Sequence, residues 1–161
     1  MKNKGFTLVE ILIVVIILGI LAAIVIPQFT EASNDARDSA MQSDLQTMRS
    51  QLELFKVKHL EKYPWDINAS ITSDELKTIL TSRTNQAGTV MPTGGAAADY
   101  PYGPYLQKCP TNSFVDTLAD GFILGAAAPV GTGLSGWYVN TDTGQVFANS
   151  DVGKYAKHVT Y

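Results

Sequence analysis

The chain has 161 residues, with 12 lysines and arginines against 15 aspartates and glutamates and a formal net charge of -3. This length fills one domain of ordinary size and argues against a multidomain enzyme. Because the chain has no basic excess, we predict no specific nucleic-acid partner. Its single cysteine, Cys109, excludes an intramolecular disulfide.

The first predicted element is an apolar helix over Phe6–Ile26, which contains one ionisable side chain. At about 1.5 Å of rise per residue, such a helix matches the hydrocarbon core of a bilayer, about 30 Å thick. Lys2 and Lys4 precede it, so the positive-inside rule places the N-terminus in the cytoplasm and the rest of the chain outside. A secretory signal cleaved near Ala22 and Ala23 is disfavoured, because the apolar run is too long and continues into a helical pattern.

The ionisable residue in this segment is Glu10. An acidic side chain in a membrane helix costs about 2.5–3.5 kcal/mol on insertion scales and marks a functional position. One interpretation is that Glu10 lies close enough to the cytoplasmic interface to stay hydrated. The alternative is that a positively charged partner neutralises it inside the membrane.

The segment Gly5-Phe6-Thr7-Leu8-Val9-Glu10, preceded by two lysines and followed by the apolar helix, resembles the class III signal of type IV prepilins and type II secretion pseudopilins. The resemblance implies that residues 1–5 are a leader and that a prepilin peptidase cuts between Gly5 and Phe6. The new amine of Phe6 would then be N-methylated. The resemblance also implies that Glu10 pairs with the N-terminal amine of a neighbouring subunit and sets the register of assembly.

Residues 27–63 are predicted to continue the transmembrane helix, 6–26, as its amphipathic half. Pro27 removes a backbone donor, so it either ends the helix or bends it; we favour a kink, because helical periodicity continues beyond it. The outer surface carries charged residues, among them Asp38 and Arg49, and the helix is expected to end near Tyr63. Apolar or small side chains recur at helical spacing at Phe29, Ala32, Ala36, Ala40, Leu45, Met48, Leu52, Phe55 and His59.

Residues 64–161 are predicted to form a globular head. Thr72 or Ser73 caps a short helix that has Glu75 in its first turn and ends near Ser82. Beyond a loop rich in glycine and proline, three short segments are typical of strands: Gly121–Ala126, Gly136–Asn140 and Gln145–Asn149. We predict an α+β fold, with an antiparallel sheet of three or four strands on the apolar face of the long helix. This is the type IV pilin fold that the resemblance implies.

Four segments of the head also look like the major pseudopilin class: Gly103–Leu106, Lys108–Pro110, Gly136–Asn140 and Thr143–Val146. That class commonly holds calcium in a Pro-x-Asp-Pro-type loop, whereas this chain has Pro110-Thr111-Asn112-Ser113-Phe114. Asn112, Asp116 and Asp120 offer hard oxygen ligands, but they fall short of the six to eight or so that calcium takes. We favour turn and cap roles for them and name calcium as the one candidate cofactor.

A membrane-anchored hydrolase is the enzymatic alternative, with Cys109 as nucleophile and His59 or His158 as base. The sequence contains no local signature of such an enzyme and no glycine-rich phosphate loop. We favour a buried, inert Cys109 and satisfied or solvated histidines, and predict no catalysis. A single-pass membrane-anchored binding domain stays open as a further alternative.

The resemblance predicts a structural subunit of a homo-oligomeric helical filament, most simply a major-type pseudopilin of a type II secretion system. Its expected partners are the prepilin peptidase, an assembly ATPase, an inner-membrane platform protein and minor pilins or pseudopilins. We expect a single-pass precursor in the bacterial inner membrane, with an extracytoplasmic head, and then a periplasmic pseudopilus. An extracellular surface pilus for adhesion, motility or DNA uptake is the alternative. The lack of a cysteine pair that could close a C-terminal loop favours a pseudopilin or a disulfide-free pilin.

Overall fold

A computed structural model describes residues 5–151 together with residues 153, 158 and 160. The chain divides into two compact units, Met1–Ser39 and Ala40–Tyr161. The first helix, α1, covers Leu8–Lys58, so the boundary between the units falls within it.

In the first unit, α1 passes through Pro27 without interruption. The proline lacks the N–H that would bond to the carbonyl of Ala23, four residues earlier. Just beyond it, the Thr30 hydroxyl donates to the carbonyl oxygen of Ile26 at 3.2 Å. The prediction that the helix continues past Pro27 is therefore confirmed, while the bend at this residue stays a prediction.

In the second unit, α1 ends at Lys58, five residues before the expected end near Tyr63. Leu60 and Glu61 both have φ near 59°, a left-handed conformation that a right-handed helix cannot continue through. The amide of Glu61 donates to the carbonyl of Lys56 at 3.0 Å, which closes the last turn. The prediction of the helix end was wrong because two non-glycine residues adopt a conformation that propensity disfavours.

Two short helices follow. The single turn α2, Pro64–Ile67, was not predicted; Asp66 Oδ2 accepts from the Tyr63 amide at its start. The helix α3, Ser73–Thr81, confirms the predicted one, with Thr72 as its cap. Thr72 Oγ1 accepts from the Glu75 amide at 3.3 Å, and Glu75 Oε2 accepts from the Thr72 amide at 2.8 Å.

The sheet has three strands in the order β1, β2, β3, with β1 at Phe122–Gly125, β2 at Trp137–Asn140 and β3 at Val146–Ala148. The strand positions confirm the prediction, and β2 and β3 form the expected antiparallel hairpin. The prediction of an all-antiparallel sheet was wrong, because β1 and β2 pair in parallel. The connection over residues 126–136 is long enough to return the chain to the end where β1 began, as parallel pairing requires.

This crossover connection is fixed by hydrogen bonds at both of its ends. Near its start, Tyr138 Oη donates to the carbonyl of Ala127 at 2.8 Å. Near its end, buried Asn149 accepts from the Thr132 amide and donates to the carbonyl of Ser135, both at 3.2 Å. The Gly133 amide donates to the main-chain oxygen of Asn149 at 3.0 Å. The loop is therefore built into the unit.

The core of the second unit lies between the buried face of α1, α3 and the sheet. On α1 this face follows the predicted spacing, but it begins later than expected: Phe29, Ala32, Ala36 and Ala40 are exposed. Asp38, predicted on the charged surface, is buried at 7% exposure and is not without an interaction partner. It lies three residues before Met41, on the same helical face, which explains its burial. The buried apolar residues of α1 are Met41, Leu45, Met48, Leu52 and Phe55.

Candidate functional site

The N-terminal end of α1 carries a reciprocal cap between Thr7 and Glu10. Glu10 Oε2 accepts from the Thr7 amide at 2.8 Å and from the Thr7 hydroxyl at 2.7 Å. The Glu10 amide donates back to Thr7 Oγ1 at 3.3 Å. This arrangement is a capping box, and the spacing Thr-x-x-Glu could have revealed it in the sequence, where Glu10 was considered without a local partner.

The cap occupies one oxygen of the Glu10 carboxylate. Within residues 5–151, Glu10 Oε1 has no hydrogen-bond partner. The carboxylate also lies in the first turn of α1, where the helix dipole favours a negative charge. Glu10 is therefore able to keep its local cap and to accept a cation on its second oxygen.

The scissile peptide predicted between Gly5 and Phe6 lies ahead of the helix. Gly5 and Phe6 are both exposed, and Phe6 keeps 81% of its accessible surface. A side chain added at Gly5 would meet no described atom within 4 Å. The peptide is thus accessible, and nothing in the described fold of the subunit itself requires glycine at position 5.

The apolar part of α1 is exposed all the way round. Large apolar side chains from Leu8 to Ile26 keep between 43% and 82% of their surface. Among the described residues, one helix is long and apolar enough to cross a membrane. A helix that is apolar on every side needs lipid or other apolar surfaces around it.

The three calcium candidates have protein partners or are exposed. Asn112 is fully buried; its Nδ2 donates to the carbonyl of Gly136 at 2.9 Å, and its Oδ1 accepts from the Phe114 amide at 3.0 Å. Asp120 forms an ion pair with Lys77 at 3.3 Å. Asp116 is exposed. Among the described residues, no cluster of three or more His, Cys, Asp or Glu side chains suits a metal, and calcium binding stays a prediction.

Cys109 and the two histidines have separate surroundings in the second unit. Cys109 is buried, and burial followed by the charge of Asp120 raises the pKa of its thiol to about 11. His59 Nδ1 lies 2.8 Å from the carbonyl of Phe55, so this nitrogen donates and the other is the acceptor in the neutral ring. His158 is buried against Phe114, with ring centroids 4.5 Å apart. Both histidines are buried, so the solvated alternative was wrong.

A family model described as the prokaryotic N-terminal methylation motif matches residues 1–26. Several similar proteins are named type II secretion system core protein G. The one from Pseudomonas aeruginosa is 38% identical over 63 residues, which are 39% of this chain and 44% of that relative. The relative from Pectobacterium carotovorum is 29% identical over 109 residues, covering 68% of this chain and 60% of the relative. The relative from Klebsiella pneumoniae is 28% identical over 109 residues and is covered to 67%.

The chain therefore spans less than two thirds of the Pseudomonas and Pectobacterium relatives. No solved structure matches the chain. The two matches over 109 residues cover 68% of this chain, which is far more than the N-terminal motif alone.

Proposed function

We propose, from the premise that the chain belongs to the type IV prepilin and type II secretion pseudopilin family, that it is a structural subunit of a secretion pseudopilus. The observation that carries the proposal is the N-terminal segment: an accessible Gly5–Phe6 peptide, a capped Glu10 and an apolar helix exposed on every side. Such a helix suits a membrane before assembly and the centre of a filament afterwards. The function is one of assembly rather than catalysis.

In this proposal, the precursor waits in the inner membrane with residues 1–5 in the cytoplasm. Prepilin peptidase cuts after Gly5, which removes Lys2 and Lys4, and the new amine of Phe6 is methylated. An assembly ATPase and a platform protein then lift the subunit out of the bilayer. Minor pseudopilins belong to the same periplasmic filament.

The amine of Phe6 in one subunit pairs with Glu10 of its neighbour. A charge in an apolar environment is tolerated when an opposite charge and hydrogen bonds satisfy it. Thr7 already bonds Glu10 Oε2, so the incoming amine takes Oε1. A subunit inserted out of register leaves both charges uncompensated, so the pair selects the correct stagger.

Intact mass and N-terminal sequencing of protein from the membrane and from sheared filaments test the processing step. The expected mature chain starts at N-methylated Phe6. Gly5→Leu should leave the leader attached, because the peptidase would no longer recognise the site. No described atom crowds position 5, so a loss of processing would not come from a disturbed fold. A mature chain that begins at Met1, or that is cut after Ala23, would refute the proposal.

Filament yield and export of secreted proteins from the native host test the role of Glu10. Glu10→Gln should keep membrane insertion and processing but strongly reduce filament yield and export. Glu31→Gln is the matched control, because Glu31 is an exposed acid of the same helix. Filaments of Glu10→Gln at the wild-type yield would show that the charge pair is not needed.

A further inference from the structure

The C-terminal end of α1 exposes a small apolar surface, here called the helix-end patch and formed by Leu54, Val57 and Leu60. Their side chains keep 43%, 63% and 67% of their surface. Leu54 and Val57 are three residues apart and share one helical face, whereas the neighbouring Phe55 points into the core at 0% exposure. The patch therefore faces away from the core of the second unit.

A second apolar surface, the loop patch, consists of Leu118 and Leu134, which keep 68% and 64% of their surface. Leu118 has φ 46°, a costly conformation for a leucine. Its carbonyl accepts from the amides of Gly121 and Gly136 at 2.8 and 2.9 Å, which joins its turn to the crossover loop that carries Leu134. Through Asn149 the same loop is fixed to the sheet, so both leucines are presented on a preformed surface.

The borders of the two patches differ in charge, and only the helix-end patch carries a lysine among its described residues. Lys58 follows Leu54 by four residues and is exposed on the same helical face. The loop patch is bordered by exposed Asp116, two residues before Leu118, and by exposed Asp151. Asp151 lies beside Gly133, the neighbour of Leu134: a Cβ added at Gly133 would be 3.3 Å from the Asp151 Cβ. Residues 110–151 contain no lysine or arginine. Over residues 110–151 the loop side therefore carries acidic charges alone, whereas the helix side combines Lys58 with exposed Glu61, the neighbour of Leu60.

We propose that the helix-end patch of one copy docks on the loop patch of a second copy of this chain. This inference rests on the proposed filament function, and names a contact between heads that the function requires but does not specify. Contact between two loop patches would bring aspartates against aspartates, and like charges at an interface are unfavourable, whereas Lys58 of the helix-end patch complements them. Contact between different patches is head-to-tail, and such contacts form an open helix when the rotation does not close.

Charge reversal in the full-length chain tests the pairing. Lys58→Glu and Asp151→Lys should each lower filament yield about fivefold, the effect of roughly 1 kcal/mol, and the double variant should restore it. Rescue separates the contact from local damage, because loss of the Asp151 bond to the Gly153 amide would persist in the double variant. The matched controls are Lys108→Glu and Asp142→Lys, both exposed and outside the patches.

Cross-linking gives an independent readout. Val57→Cys with Leu134→Cys should yield ladders of linked subunits in filaments treated with a short bismaleimide, whereas Val57→Cys with Gln107→Cys should not. Native Cys109 is buried and does not interfere. Thermal unfolding in detergent, followed by tryptophan fluorescence, checks that each variant is folded.

The outcomes separate the two proposals. The docking contact is overturned if the wild-type chain is processed at Phe6 and forms filaments, but no cross-linked ladder appears or the double variant does not rescue the charge reversals. The filament function would then still stand. If the wild-type chain is neither processed nor assembled in its host, the proposed function fails, and the docking contact fails with it.

Discussion

The guanidinium of Arg49 donates two hydrogen bonds to the carbonyl oxygen of Val146, from Nε at 3.0 Å and from Nη2 at 2.6 Å. Val146 lies in β3, at the edge of the sheet, opposite Val139. In this antiparallel pairing, the hydrogen bonds between β3 and β2 are made by the residue pairs on either side of Val146 and Val139. The Val146 carbonyl therefore points to the open edge of the sheet. Arg49, which the sequence placed on the charged outer surface, thus ties α1 to β3 and covers a strand edge that is prone to pairing with other chains.

We therefore expect Arg49→Met to lower the free energy of unfolding by about 1.5 kcal/mol, because a hydrogen-bonded charge at a half-buried site is lost. Arg49→Lys should recover part of the loss, since lysine keeps the charge but not the two-nitrogen fork. The measurement is urea unfolding of the full chain in detergent, followed by tryptophan fluorescence. Arg37→Met, at an exposed arginine of the same helix, is the control. Equal midpoints for the Arg49→Met and Arg37→Met variants would contradict the prediction.

Gly136 allows two backbone segments to meet at the end of the crossover. A Cβ at this position would overlap the carbonyl oxygen of Ala119. We expect Gly136→Ala to lower stability by about 3 kcal/mol or to prevent folding, because backbone atoms cannot yield as a side chain can. Thermal unfolding by circular dichroism measures the effect.

Gly94→Ala separates this steric effect from backbone conformation. Gly94 has φ 81°, but a Cβ there would meet no described atom within 4 Å. Its substitution should cost only about 1 kcal/mol, the penalty of a left-handed alanine. A Gly136→Ala variant as stable as the Gly94→Ala variant would show that the 119–136 contact relaxes.

Short-range features of this fold could be predicted from the sequence. The cap of α3 was identified from the spacing of Thr72 and Glu75, and the strands from short apolar runs bounded by glycine. The same spacing occurs at Thr7 and Glu10, but there the apolar run dominated the interpretation and the capping box was missed. The cap formed by Thr7 and Glu10 could thus have been predicted from the sequence. That Glu10 Oε1 has no hydrogen-bond partner among the described residues is seen only in the structure.

Long-range features could not be predicted in the same way. The parallel pairing of β1 with β2 depends on how the 126–136 connection folds back, and side-chain alternation carries no information on strand direction. The left-handed residues Leu60 and Glu61 end α1 although their types favour helix. The loop patch depends on the bond from the Gly136 amide to the Leu118 carbonyl, a contact between distant parts of the chain.

Cys109 should be unreactive in the folded chain. Its thiol is buried, and with a pKa of about 11 it stays protonated at neutral pH, whereas the thiolate is the reactive form. We expect labelling by a thiol reagent at pH 7.5 to be slow in the native state and complete after denaturation. Gln107→Cys provides an exposed thiol in the same protein as an internal standard. Rapid labelling of Cys109 under native conditions would mean that this part of the core opens readily.

Tyr63 should make the second unit sensitive to alkali. Its hydroxyl donates to Glu53 Oε1, and burial together with the Glu53 carboxylate raises the pKa of Tyr63 from 10.0 to about 12. The unfolded chain releases this proton first, so the stabilisation is complete below about pH 10 and is lost as the pH rises toward 12. We expect the unfolding midpoint of the wild type to fall across this interval more steeply than that of Tyr63→Phe, which lacks the proton. The difference between the two proteins removes the shared titration of lysines and of the other tyrosines, and tyrosinate absorbance of the folded chains should show one late-titrating group fewer in the variant. Parallel stability curves would mean that the Tyr63–Glu53 bond does not hold the proton in the folded state.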